Sequence, residues 1–285
     1  MDGHRESHLF TATDHARRHD AAKLERTWSL PGWRGRRLRG GHSVGRGRWH
    51  QARRGRGEQH QWPRDTTGSS MSADAAMNFD DLKSLRHKKN RDRLGFFFAE
   101  GEHLVLELGK AMSRRSDLAA ARILVSEEYL AAGLPPGFPR QLAIETLSAR
   151  QMAQLSETRS PQGVIAVVPM LTTPVPRVAE RAIYLHQIQD PGNLGTILRT
   201  LGWFGRFRCL LSPDSVEPYN PKVVRASMGA IFDVPFEIDV TLEEVQNRYS
   251  RIALLDIRGS SIAENSFKDF ECYMFGSESR GATAE

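Results

Sequence analysis

A strand followed at once by a tight turn and a helix, within residues 182–204, limits the possible folds of this chain more than any other stretch. Residues 182–186 form a short apolar run typical of a buried strand, and Pro191 then marks a turn. Apolar residues recur at helical spacing afterwards, and we expect Asn193 to cap that helix. The segment predicts an α/β fold in which an amide and the cation Arg199 lie near the mouth of a helix.

Two later blocks, residues 219–235 and 273–281, make the interpretation more specific. In this order and spacing the three blocks resemble the three motifs of the SpoU family, also called the TrmH family, of RNA ribose 2′-O-methyltransferases. The resemblance implies an α/β domain with a trefoil knot that uses S-adenosylmethionine and pairs as a homodimer. The third block is shorter than the family pattern, so we expect the domain to lack its C-terminal end and the knot to be incomplete.

The same resemblance implies three catalytic residues, Arg199, Asn193 and Glu278. Because an arginine stays protonated in a protein, we expect Arg199 to clamp a phosphate and stabilise the developing alkoxide rather than act as a base. The Asn193 amide could bond either the turn backbone or the RNA. Glu278 could hold Asn193 or Arg199 in place.

The resemblance also implies that Gly276 contacts the methyl donor, since a residue without Cβ lets backbone approach a ligand closely. Leu255 and Asp256 fall where a second cofactor-lining loop of the family begins. For these two residues an ordinary strand end is an equal alternative.

The chain has 285 residues and a net charge of +6, but the charge is uneven. Residues 1–72 carry 15 Lys and Arg against 7 Asp and Glu, with many glycines and no sustained hydrophobic period. We expect this segment to be largely disordered. It could bind RNA, or it could lie upstream of the natural start at Met71.

Residues 73–170 alternate helices and strands and resemble the ribosomal protein L30e-like domain that precedes the catalytic domain in the same family. A basic helix is predicted over residues 82–91, before a strand at 95–99. Further elements are expected at residues 104–112, 122–125, 152–155 and 163–168. Residues 171–180 then form a stiff linker into a catalytic domain at 181–285.

Positive charge on the first domain suits RNA phosphates, which position a nucleic acid without reading its bases. Lys88, Lys89 and Arg91 are the RNA-binding candidates there, with a solvated helix face as the alternative. In the second block Arg225 and Ser227 could face RNA or a partner subunit. The L30e-like domain favours rRNA over tRNA by analogy.

The interpretation is therefore an rRNA ribose 2′-O-methyltransferase, and the alternative is a catalytically inactive RNA-binding remnant. Trp203 and Phe204 are candidates for a subunit contact, with core packing as the alternative. Two cysteines are too few for a disulfide framework and fit the reducing cytoplasm. We expect no metal site and no membrane span.

Overall fold

The computed structural model describes residues 77–256, 261–263 and 265–277. The predicted disordered segment 1–72 and the catalytic candidate Glu278 lie outside these residues. Two β-sheets, which we call the sheets of the first and second domains, belong to one compact unit. No helix in the described ranges is both long and apolar enough to cross a bilayer.

The first domain has a four-stranded sheet in the order β1-β4-β2-β3, in which the pair β2–β3 is parallel and the other pairs are antiparallel. The predicted strands are present, whereas β3 and α4 were not foreseen. The elements are α1 Phe79–Ser84, α2 Lys88–Leu94, β1 Phe96–Glu100, α3 Glu102–Ala111, β2 Arg122–Ser126, α4 Glu127–Ala132, β3 Ala143–Leu147, α5 Ala149–Leu155 and β4 Val164–Pro169.

The prediction of one basic helix over residues 82–91 is wrong, because two short helices meet there at a turn. A capping box at Asn78 starts α1, and its end is bonded by side chains from α2. Arg91 Nη1 donates to the carbonyls of Leu85 and Arg86, both at 2.7 Å. These bonds replace the backbone bonds of a continuing helix, so the chain turns back on itself.

The second domain has a five-stranded, entirely parallel sheet in the order β7-β6-β5-β9-β8. With the first domain's sheet, it confirms the predicted α/β class. The elements are β5 Arg181–Leu185, α6 Pro191–Phe204, β6 Phe207–Leu211, α7 Pro221–Ala226, β7 Phe236–Glu237, α8 Leu242–Arg248, β8 Ile252–Leu255 and β9 Cys272–Phe275.

The helix α6 begins three residues earlier than predicted. Asp190, not Asn193, is its N-cap, because Asp190 Oδ1 accepts a bond of 2.8 Å from the Asn193 backbone nitrogen. Pro191 occupies the first helical position, which its fixed φ favours. Asn193 is thus the third residue of the helix, and its side chain has no capping task at that end.

The linker over residues 171–180 contains no helix or strand, yet hydrogen bonds hold it to both domains. Thr172 donates its backbone N–H to Asp117 Oδ2 of the first domain at 2.9 Å. Arg208 of the second domain donates Nη2 to the Pro174 carbonyl at 2.8 Å. The connection is therefore anchored at both ends.

The two domains also share one hydrophobic cluster. The ring of Phe97 on β1 lies 4.8 Å from that of Tyr219, which precedes α7. Gly229 has a φ of 90°, and a Cβ there would lie 2.5 Å from Glu107 Cγ of α3. This glycine permits close packing, and the neighbour is the first domain.

Candidate functional site

The carboxyl ends of the strands in the second sheet form the best candidate site. The strand β5 has β6, which follows it in the chain, on one side. On its other side lies β9, which the chain forms last, after β8 at the edge of the sheet. Neighbouring strands whose connections leave in opposite directions create a crevice at their carboxyl ends, where open parallel sheets bind ligands. In this sheet the rule points to the carboxyl ends of β5 and β9, and we use the word crevice for this expected position.

The strand register places three residues in a row across this edge. Leu185 of β5 and Leu255 of β8 both pair with Phe275 of β9. The next residue after each strand is His186 for β5, Gly276 for β9 and Asp256 for β8. These three residues therefore lie side by side across the sheet in that order. The glycine is the middle member, so a gap in the row of side chains lies between an imidazole and a carboxylate.

The three predicted cofactor residues are therefore neighbours. Leu255 is half-buried at the end of β8, Asp256 is exposed beyond it, and Gly276 is partly buried at the end of β9. Leu255 and Asp256 do stand at a strand end, and their contact with the methyl donor stays a prediction.

His186 is the residue of this row that the sequence did not single out. Its backbone N–H donates to the Phe275 carbonyl at 2.9 Å, which continues the pairing of β5 with β9. Its Nδ1 atom is shielded from solvent and has no hydrogen-bond partner among the described residues. A histidine after an apolar strand gives no periodic signal, so the sheet register was needed to find it.

Asn193 and Arg199 lie at different depths on α6. Asn193 is in the first turn, near the carboxyl edge, and is exposed. Arg199 follows six residues later, about 9 Å further along the axis at 1.5 Å per residue. Because α6 must run back towards the start of β6, Arg199 lies farther from the edge than Asn193 does. It is exposed and makes no hydrogen bond or ion pair with any described residue.

Two of the RNA-binding candidates are corrected by the structure. The Arg91 side chain is 3% exposed and forms an ion pair with Glu217 of the second domain. Burial lowers its pKa, because the charged form loses solvation. Ser227 is fully buried and donates its hydroxyl to the Val224 carbonyl at 2.7 Å. Neither side chain can reach an RNA from these positions.

The remaining candidates differ in exposure. Lys88 and Lys89 are exposed on α2, with Lys88 Nζ 2.9 Å from Asp92 Oδ2. Arg225 is half-buried and faces the first domain, where its Nη1 lies 3.6 Å from Glu100 Oε2. Exposed lysines can meet phosphates, whereas Arg225 is directed at the junction between the domains.

The titratable groups beneath the crevice are protonated and packed. Burial raises the pKa of the Cys272 thiol to about 12, which makes it a poor nucleophile. Burial also raises the pKa of Tyr184, whose hydroxyl donates to the Val240 carbonyl at 3.2 Å. Within the described ranges, no group of three His, Cys, Asp or Glu side chains could hold a metal ion.

The exposed side of α6 ends in two large apolar side chains. Trp203 is 87% exposed and Phe204 is 62% exposed. Core packing is thus excluded for both among the described residues. Trp203, four residues after Arg199, lies on the same helix face, whereas Phe204 is turned about 140° from it.

Comparison with known proteins gives consistent matches for both domains. Residues 180–285 match the model of the SpoU rRNA Methylase family, and residues 80–166 match an MRM3-like substrate binding domain. The 23S rRNA guanosine 2′-O-methyltransferase RlmP of Bacillus subtilis is 31% identical over 155 residues, which cover 54% of this chain and 59% of that protein. An uncharacterized tRNA/rRNA methyltransferase of Synechocystis is 30% identical over 213 residues, 71% of this chain and 76% of that one.

A solved structure with the same fold is the SpoU methyltransferase AviRb of Streptomyces viridochromogenes in complex with AdoMet. Its TM-score is 0.61 at 19% identity, with 72% of this chain and 83% of that chain covered. The chain spans about three-fifths of the length of the Bacillus enzyme.

Proposed function

Because the chain belongs to the SpoU rRNA methylase family, we propose that it is an S-adenosylmethionine-dependent methyltransferase that acts on a ribose 2′-hydroxyl of rRNA. The observation that carries the proposal is the row of His186, Gly276 and Asp256 at the carboxyl ends of β5, β9 and β8. The MRM3-like substrate binding domain matched in front of it, together with the rRNA substrate named for the Bacillus relative, supports an RNA substrate.

The residues of the crevice suit this methyl donor. Leu255 offers an apolar surface, Gly276 leaves room for close approach, and the buried His186 Nδ1 offers a hydrogen-bonding atom without a partner. A mixture of apolar surface and a few convergent polar groups is usual for a cofactor site. When bound there, S-adenosylmethionine supplies an electrophilic methyl group on its sulfonium.

The protein's own part in the reaction is to position the ribose and stabilise the charge that develops on its oxygen. Arg199 stays protonated and presents a planar set of donors, so it binds the phosphate next to the target and stabilises the alkoxide. Asn193 orients the substrate near the carboxyl edge. Glu278 holds one of these two side chains in place.

Pairing of two copies would bring these groups together. Within one chain Arg199 lies down the helix from the carboxyl edge and has no described partner. It shares an exposed face with Trp203, which is 87% exposed, and Phe204 is 62% exposed at the end of the same helix. A homodimer that covers these rings places Arg199 of one subunit towards the crevice of the other.

Contacts with the RNA phosphates are assigned to Lys88 and Lys89 of the first domain, both exposed. Such contacts give affinity without base specificity. The rRNA methyltransferase of Bacillus subtilis supports rRNA over tRNA. We propose a cytoplasmic setting, because the Bacillus relative modifies bacterial 23S rRNA.

The proposal is tested with the full chain, radiolabelled S-adenosylmethionine and either deproteinised 23S rRNA or total tRNA. We expect transfer to rRNA, with the labelled nucleotide resistant to alkaline hydrolysis, because a 2′-O-methyl group removes the nucleophile for strand cleavage. RNA binding without any binding of S-adenosylmethionine in calorimetry would instead support an inactive remnant. Labelled tRNA with unlabelled rRNA would overturn the substrate assignment.

A further inference from the structure

His186 carries an unsatisfied hydrogen-bonding atom at the point where the sheet is open. Its Nδ1 is buried, and none of the residues described here donates to it or accepts from it. Most buried side-chain nitrogen and oxygen atoms in folded proteins have a partner, since leaving one unpaired costs about 1–3 kcal/mol. An orphaned atom of this kind calls for a partner that the described residues do not provide.

The neighbouring polar groups are already engaged. Tyr184, whose ring centroid lies 6.3 Å from that of His186, donates its hydroxyl to the Val240 carbonyl. Ser212 accepts from the Gln187 backbone nitrogen at 2.7 Å and donates to the Pro213 carbonyl at 3.0 Å. Small rearrangements of these side chains would break existing bonds to make a new one.

The position of His186 is also fixed. Its backbone bond to Phe275 at 2.9 Å extends the parallel pairing of β5 and β9. The imidazole therefore stands next to Gly276, the member of the row that has no side chain. A group that enters the gap above the glycine meets the histidine at its side.

We propose that His186 is a binding residue for the methyl donor and that its Nδ1 hydrogen-bonds a polar group of that donor. A sulfonium neither donates nor accepts a hydrogen bond, so the bonded group belongs to the adenosine or amino-acid part. These parts are common to S-adenosylmethionine and to its product, S-adenosylhomocysteine. The inference rests on the proposed function and adds a side chain to its donor site.

The test compares His186→Phe, which keeps a ring but removes both nitrogens, with His186→Asn, which keeps a polar atom close to the place of Nδ1. We expect His186→Phe to weaken the binding of both donor and product by about tenfold in calorimetry, and His186→Asn to stay within about threefold of the original chain. The exposed His87 gives the control His87→Phe, which should leave both affinities unchanged.

A second readout separates binding from a structural role. Removing an unpaired buried nitrogen should leave the melting temperature of the ligand-free protein unchanged or raise it, while the increase caused by S-adenosylmethionine becomes smaller. RNA affinity should stay the same, because the lysines of α2 lie in the first domain.

Equal donor affinity in His186→Phe and the original chain would overturn the inference, and so would an equal loss in His186→Phe and His186→Asn. A lower melting temperature of ligand-free His186→Phe with a full ligand-induced increase would assign the histidine to folding instead. If the original chain itself binds neither compound, the proposed function fails, which is a different result from either of these.

Discussion

The junction between the domains and the carboxyl edge of the second sheet differ in whether their cations meet a carboxylate. At the junction Arg91 faces Glu217, Arg225 faces Glu100, and Arg114 Nη2 lies 2.6 Å from Asp233 Oδ1. Each of these cations meets a carboxylate of the other domain. At the carboxyl edge Nδ1 of His186 has no described partner, and on the helix that leaves the edge neither has Arg199.

This difference distinguishes polar groups that hold the fold together from polar groups that are candidates for binding a ligand. A charge that the chain neutralises itself fixes the position of one element against another. A polar group that the chain leaves unmatched is available for something that arrives later. Residue type alone does not decide between these roles, since arginines occur in both regions.

The largest effect is expected at the buried ion pair of the junction. Glu217→Gln removes the carboxylate and leaves the Arg91 charge buried without compensation, which should lower the free energy of unfolding by about 3–5 kcal/mol. Asp80→Asn at the exposed Lys83 pair is the control, with less than about 1 kcal/mol expected. Urea unfolding measures both. Equal effects of the two changes would show that the junction does not depend on this pair.

Arg199→Lys tests the carboxyl edge in the same way. It keeps the charge but loses the planar pair of donors, so we expect methyl transfer to fall about 100-fold or more with little loss of stability. The exposed Arg150 on α5 supplies the control Arg150→Lys. Single-turnover methyl transfer is the measurement, and near-normal turnover with unchanged RNA binding would refute the role of Arg199.

On α2 the comparison holds within one helix, because Lys88 and Lys89 are exposed where Arg91 is buried. Lys88→Ala with Lys89→Ala should weaken RNA binding several-fold and reduce the slope of log affinity against log salt by roughly 1 to 2. The control removes two other exposed cations, Lys110 and Arg140. The same change in slope for both double variants would show that α2 has no special place in RNA binding.

The smallest effect is expected on the free energy of unfolding at acid pH. A hydrogen bond from Arg115 lowers the pKa of Asp117, and bonds from Thr172 of the linker lower it further. The stabilisation is complete above the unfolded pKa of about 4 and is lost as pH falls towards the lower folded value. We expect Asp117→Asn to reduce the loss of unfolding free energy between about pH 4 and pH 2. The exposed Asp80→Asn should leave that loss unchanged.

Sequence patterns predicted the elements that build the site and most of its row. The buried strand at 182–186 and the strand ends at Leu255 and Gly276 carry local signals, because apolar runs and glycine have direct backbone consequences. Asp190 and Asn193 are both good caps, and the proline after Asp190 decided between them. The local sequence around His186 gives no sign of a binding role. The candidate role follows from its position beside Gly276, which lies ninety residues later in the chain.

The wrong or missed predictions also arise where the structural role depends on contacts or exposure that the local sequence does not show. Arg91 belongs to a dense basic stretch, which indicates a solvated or RNA-facing helix, yet its partner Glu217 comes from the other domain. Ser227 lies in a motif block, but its hydroxyl serves the carbonyl of Val224 within its own short helix. The strand β3 was missed because most of its residues are exposed at the edge of the sheet, so its apolar signal is weak.

The anchored linker has a consequence for how a target nucleotide would be chosen. Thr172 is tied to Asp117, and Pro174 to Arg208, so the connection cannot swing freely. We therefore expect a fixed distance between Lys88 and Lys89 on α2 and the carboxyl edge of the second sheet. Under the proposed function, the protein would modify the ribose that lies at this distance in a correctly folded RNA and would not modify the same nucleotide in another RNA conformation.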